Sequence, residues 1–174
     1  GVEVTTFKCD VSKEDQLLAF AKDVEKQHNL NNRGLLLFNN AGIGGGGSII
    51  ADSRKDWEKT FNICWYGVYY SVRAFMPLLL KATSGYVVNT SSVNGFWASI
   101  GFLRPHTAYS AAKFAVKGFT EALINDFRLH APHLKAAIVM PGHVGTGIVG
   151  NSSQDENAVK RQVNTSKLKA NAKL

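Results

Sequence analysis

Three short apolar runs, "GLLLFNN" (34–40), "GYVVNTSS" (85–92) and "KAAIVMPG" (135–142), are separated by two long stretches of helical character. Each run is continuous rather than alternating, which is the pattern of parallel strands covered by helices on both faces. The stretch 56–82 follows Ser53 as an N-cap, and 106–130 follows Pro105 and stops before Pro132. An earlier unit reads as a strand, "VEVTTFKCDV" (2–11), then a helix, "SKEDQLLAFAKDVEKQH" (12–28), with Ser12 and Asp15 at capping-box spacing. Strand, helix, strand, helix, strand, helix, strand is the order of an α/β layered fold with right-handed crossovers.

A chain of 174 residues, 45% of them hydrophobic, fits one domain with a sizeable core. No apolar run reaches the roughly 18 residues that span a bilayer, and "GVEVTTFKCD" lacks the plan of a signal peptide. The expectation is a cytoplasmic protein with no membrane partner. The net charge of +7 is spread out: residues 151–174 hold five basic residues (Lys160, Arg161, Lys167, Lys169, Lys173) against Asp155 and Glu156. No dense basic run is interleaved with aromatics, so a nucleic-acid site is not expected. Cys9 and Cys64 have no metal-ligand spacing and read as reduced, structural thiols. The organisation is a core over 1–150 and a polar, basic tail over 151–174, mobile or weakly helical.

In open α/β sheets ligands bind beyond the carboxyl ends of the strands. Those ends carry "NNAG" (39–42), "NTSSVNG" (89–95) and "PGHVGT" (141–146), and the first unit ends in "CDV" (9–11). All are small, polar or glycine-containing, as close approach of backbone to a flat ligand requires. Between the second and third ends, "TAYSAAKF" (107–114) puts Tyr109 and Lys113 on one helix face, a pair that chance also supplies. "GIGGGG" (42–47) formally matches a dinucleotide-phosphate fingerprint, but "SIIADS" intervenes where a helix should open, so a flexible connection is expected.

Taken in order, Asp10-Val11, Asn39-Asn40-Ala41-Gly42, Ser91-Ser92, Tyr109-x-x-x-Lys113 and "PGHVGT" resemble the short-chain dehydrogenase/reductase superfamily, in its classical type, over residues 1–150. The resemblance implies a Rossmann-like, doubly wound, mostly parallel sheet. It implies an NAD(P)-dependent oxidoreductase that interconverts a small-molecule alcohol and a carbonyl, with NAD or NADP as cofactor. Tyr109 would be the general acid/base, and Lys113 would bind the nicotinamide ribose and help lower the phenol pKa from about 10. Ser92 would bond the substrate oxygen, with Ser91 as the fallback. On the cofactor, Asp10 and Val11 would meet the adenine, Asn40, Ala41 and Gly42 its ribose, and Pro141, Gly142, Val144 and Thr146 the nicotinamide side. A homodimer or homotetramer is implied, built on the long helices and an apolar stripe such as Trp65, Tyr69, Val72 and Phe75.

The sequence departs from that pattern in two ways. Cys64 stands where the family has an asparagine of a proton relay, and Asn62 lies about 200° round the helix, too far to replace it. Seventeen residues separate Ser92 from Tyr109, a longer loop than usual, with Phe96, Trp97 and Phe102 as candidate pocket lining. The larger departure is that the chain begins at the family's third strand, without the glycine-rich phosphate turn, and also lacks the final helix and strand. The expectation is a fragment of a longer enzyme or a truncated relative. The alternative function is a catalytically silent relative that binds a partner or forms part of an oligomer.

Overall fold

The computed structural model describes residues 2–28, 32–45, 47–98 and 105–142. Within them the chain runs α1 (Glu14–Gln27), β1 (Gly34–Asn39), α2 (Arg54–Phe61), a π-helical turn (Asn62–Tyr66), α3 (Gly67–Lys81), β2 (Ser84–Thr90), a 3-10 turn (Val93–Gly95), α4 (Thr107–His130) and β3 (Leu134–Val139). The strands form one parallel sheet in the order β1-β2-β3, with Leu37 opposite Val87 and Val87 opposite Ala136. The α/β layering therefore forms as the apolar runs predict, and Ser53 caps α2 by accepting from the Asp56 N–H.

The core lies between the sheet and the described helices. Leu37, Val87 and Leu134 join Leu17 and Ala21 of α1, Val72, Phe75, Leu78 and Leu79 of α3, and Leu123 and Phe127 of α4. Gly67 lets α3 approach the strand-like segment before α1, because a Cβ there would come within 2.9 Å of Val11 Cγ2. Val72 and Phe75 of the expected oligomer stripe belong to this core, whereas Trp65 and Tyr69 meet Phe119 of α4 edge-on at 5.5 and 6.3 Å. Among the described residues no helix is long and apolar enough to cross a membrane.

Four expectations fail, each for a physical reason. Residues 2–8 form no strand: Val2 and Val4 are 90% and 80% exposed. A strand needs a neighbour for its N–H and C=O groups, and β1 pairs with β2 alone. The segment is held instead by side chains, Phe7 stacking on Phe20 at 5.4 Å and Phe20 meeting Phe75 edge-on at 5.3 Å. The capping box is also absent, because the helix starts at Glu14 with Lys13 as its N-cap, and Ser12, one residue earlier, is turned to Asp10 and donates to its Oδ1 at 2.8 Å. The carboxylate is the stronger acceptor and takes the Ser12 N–H as well, at 3.0 Å.

The helix expected over 56–82 is interrupted by the π turn, which carries one extra residue per turn at its middle. The sheet, finally, is covered on one face only. Leu36 and Phe38 stand 66% and 65% exposed on the other, beside half-exposed Tyr86 and Val139. The apolar runs carry residues for two buried faces, and the described helices supply one. Residues 151–174, Phe102, Val144 and Thr146 lie outside the described residues.

An uncovered apolar sheet face drives association. Sedimentation velocity of the 174-residue chain is expected to show self-association that weakens when Leu36 and Phe38 are both changed to Lys. A monodisperse monomer before substitution contradicts this reading.

Candidate active site

The site is built where β2 ends against the first turns of α4. After Thr90 the chain stays extended through Ser92 (φ −166°, ψ 163°) and then turns into the 3-10 segment. Successive residues of an extended chain point to opposite sides, so the two adjacent serines do different work. Ser91 is buried, and its hydroxyl donates to the Lys113 carbonyl at 2.7 Å, which ties strand to helix. Ser92 Oγ accepts from the Asn94 N–H at 3.1 Å, and its hydroxyl lies on the Tyr109 side, where it favours the ionised phenol. The fallback to Ser91 is thus removed by its bond to the helix.

Gly95 makes the junction possible. A Cβ there would collide with Ser91 Oγ and lie 2.7 Å from the Lys113 carbonyl oxygen. Tyr109 and Lys113 share the inward face of α4, and the Lys113 nitrogen lies 5.6 Å from the phenol ring centre. Lys113 is only 4% exposed, and its ammonium donates to the Thr90 carbonyl at 2.8 Å. A buried ammonium needs such a partner.

Burial sets the electrostatics. It pushes the Tyr109 phenol above its usual range, opposed by the Ser92 hydroxyl. It pushes the Lys113 ammonium below its usual range, with Cys64 acting the other way. Burial is the largest of these effects, so the phenol lies above its usual range rather than below it. Tyr109 is a neutral phenol, ready to give a proton.

Cys64 lies in the π turn, fully buried, and its thiol donates to the Ile43 carbonyl at 3.2 Å. Burial raises its pKa, offset in part by Lys113, so it stays a neutral thiol. Asn62 points to solvent, in keeping with its place on the opposite side of the helix. Gly42 closes the group: a Cβ on it would lie 3.8 Å from Lys113 Nζ and 3.9 Å from Cys64 Sγ. Asn40 is exposed beside it and accepts from the Thr90 hydroxyl at 3.1 Å, and Ala41 is exposed.

Of the remaining residues, Pro141 accepts from the Val93 N–H at 3.0 Å, which brings the end of β3 to the turn after Ser92, and Gly142 is exposed next to it. Asp10 is exposed, and its hydrogen bonds from Ser12 hold its carboxyl below the usual carboxylate range. Val11 packs on the core against Gly67. The structure thus gathers Asn40, Ala41, Gly42, Ser92, Tyr109, Lys113, Pro141 and Gly142 at one end of the sheet, and Asp10 and Val11 sit at the start of the loop into α1. Phe96 and Trp97 are exposed and meet edge-on at 5.2 Å. "GIGGGG" leads into a turn at Ser48–Asp52 rather than a helix, in line with a connecting role.

Two features were missed by sequence reasoning. Asn94 Nδ2 is buried without a hydrogen-bond partner two residues beyond Ser92. Asn89 and Thr120 are fully buried polar residues behind the site. A polar residue inside an apolar strand or on the inner stripe of a helix is the signal that could have flagged the second pair.

Residues 1–157 match the family model of short chain dehydrogenases. The chain belongs to this family. The Mycobacterium tuberculosis protein SadH is 33% identical over 153 residues, covering 88% of this chain and 53% of that protein. A short-chain dehydrogenase/reductase from Burkholderia phymatum, solved with NAD, superposes with a TM-score of 0.78 at 33% identity, over 90% of this chain and 54% of that one. A metagenomic short-chain oxidoreductase solved with NADP gives 0.68 at 30% identity, over 83% and 62%. The chain spans about half the length of the curated relatives it matches.

Crowding at the strand–helix junction is testable. Gly95→Ala is expected to cost about 1–3 kcal/mol of stability, the range for overpacking a tight site, and to lower the melting temperature. An unchanged melting curve would show that the junction is looser than described.

Proposed function

We propose that the Ser92, Tyr109 and Lys113 site interconverts an alcohol and a carbonyl on a small-molecule substrate, with NAD or NADP as the redox partner. The observation that carries this reading is the Tyr109 phenol 5.6 Å from a buried lysine that is tied to the carboxyl end of a parallel strand, next to buried Ser92. Because Ser92 Oγ accepts from the Asn94 N–H, its own proton is free for Tyr109 or a substrate oxygen. Tyr109 gives its proton to the carbonyl oxygen in reduction and takes it back in oxidation, a step worth about 10²–10⁴ in rate. Lys113 lies within Coulomb range of the phenolate left behind, in a site where low dielectric strengthens that attraction.

The nicotinamide cofactor would supply the hydride. Gly42 fits such a ligand, because the missing Cβ leaves the space over Lys113 Nζ open. Asp10, Val11, Asn40, Ala41, Gly42, Lys113, Pro141 and Gly142 would hold it, together with Val144 and Thr146, which lie outside the described residues. The cofactors in the Burkholderia phymatum and metagenomic structures support the choice. Part-buried Trp65, Tyr69 and Phe119 support a homodimer or homotetramer, which sedimentation of the chain carrying Lys at 36 and 38 reads without the sheet face. Residues 1–150 would form the catalytic core and 151–174 a separate polar tail, which limited proteolysis would remove first.

The second reading, a silent binding relative, rests on the "GIGGGG" loop, which opens no helix for a pyrophosphate. Two measurements separate them. Titration with NAD and NADP, followed by quenching of tryptophan fluorescence, is expected to give saturable binding, and no binding favours the silent relative. In a steady-state assay over a panel of alcohols, Tyr109→Phe is expected to lower kcat about 10²–10⁴-fold. Turnover unchanged by that substitution would contradict the role of Tyr109.

A further inference from the structure

Behind the site a line of buried polar groups crosses from β1 to α4. Asn39 Nδ2 donates to Asn89 Oδ1 at 2.8 Å, Asn89 Nδ2 donates to Thr120 Oγ1 at 2.9 Å, and the Thr120 hydroxyl donates to the Val116 carbonyl at 2.7 Å. Asn89 and Thr120 are fully buried, and Asn39 is nearly so. The line has one direction only. The Thr120 proton is committed to Val116, so Thr120 can only accept from Asn89, which turns the Asn89 oxygen toward Asn39. Asn39 and Asn89 are register partners on neighbouring strands, so both face α4 from the same side of the sheet.

The geometry along α4 gives this line its consequence. Tyr109, Lys113, Val116 and Thr120 fall on one stripe at 3.6 residues per turn. The end of β2 therefore grips the helix twice: at Lys113, through Ser91 and Thr90, and at Thr120, through Asn89. Seven residues separate the two grips, about 10.5 Å of helix axis. A single grip at Lys113 would leave the helix free to rock about it. Two grips fix its slide and its tilt.

We propose that Asn89 and Thr120 are positioning residues that register α4 so that Tyr109 and Lys113 are held at the end of β2 beside Ser92. The proposal rests on the reading of Tyr109 as the proton-transfer group, and nothing in the line touches substrate or cofactor. A reacting group displaced by about 1 Å can lose 10²-fold in rate, so a bond made about three turns away has leverage on the chemistry.

The test uses Thr120→Val, which keeps the branched shape but leaves Asn89 Nδ2 unpaired, and Thr120→Ser, which keeps the hydroxyl. Ionisation of Tyr109 is read in each as the ultraviolet difference from the matching Tyr109→Phe chain, so no turnover is needed. Thr120→Val is expected to move the Tyr109 midpoint by half a pH unit or more, and Thr120→Ser to restore it. In the turnover assay the same pair is expected to show a tenfold or greater loss of kcat with cofactor KM within twofold, then recovery. A lower melting temperature with the Tyr109 midpoint unmoved would overturn the proposal by showing a purely structural line. Should Thr120→Val fail to fold, Asn39→Ala, which removes only the far link, decides: a smaller shift in the same direction supports the proposal and no shift overturns it. If the unsubstituted protein turns over no alcohol, the proposed function fails, while the Tyr109 titration still judges the positioning.

Discussion

Lys113 is held at both ends by one strand. Its backbone carbonyl accepts from Ser91 and its ammonium donates to the carbonyl of Thr90, the residue just before. The second bond is charge-assisted and buried, and such bonds are roughly twice as strong as neutral ones. It also answers the cost of placing an ammonium where water cannot reach. Two features of the site follow from this junction: Gly95 must be a glycine for strand and helix to meet, and Ser92 is left on the Tyr109 side.

Burial shapes the proton chemistry in a consistent sense. Tyr109 and Cys64 are pushed toward their protonated, neutral forms, and Lys113 toward its neutral form. A site that resists charge in all three groups magnifies the effect of any charge brought in by a ligand, because the local dielectric is low. The thiol at Cys64 adds a mechanical link rather than an ion: it joins the π turn to Ile43 and so ties the loop after β1 to the helix that precedes β2. Aromatic stacks of Trp57 on Phe61, Tyr66 on Tyr70 and Trp65 on Tyr69 run along the same helical rod.

Much of this was legible in the sequence. The strands at 34–39, 84–90 and 134–139 declared themselves by unbroken apolar character, and α4 by the prolines beside it. Ser92, Tyr109 and Lys113 are brought together because strand ends and helix starts meet at the same edge of a parallel sheet. What was not legible depends on partners rather than on local pattern. Residues 2–8 read as a strand, but β-propensity is realised only beside another strand. Whether Ser91 or Ser92 faces Tyr109 depends on a one-residue phase that two identical side chains cannot reveal. The π turn leaves no mark in composition, and Ser12 has the residue type of a cap but lies one residue before the N-cap, Lys13. Coverage of only one sheet face lies beyond local pattern altogether, since the strands carry apolar residues for both.

Isotope transfer tests the central claim most directly. NADH or NADPH carrying deuterium at nicotinamide C4, in both stereochemical forms, is offered with a panel of ketones and aldehydes, and the products are examined by mass spectrometry. The account predicts an alcohol bearing deuterium on the former carbonyl carbon from one of the two forms, with the hydroxyl proton drawn from water through Tyr109. Saturable cofactor binding without a labelled alcohol from any carbonyl, or an alcohol formed without the label, would contradict it.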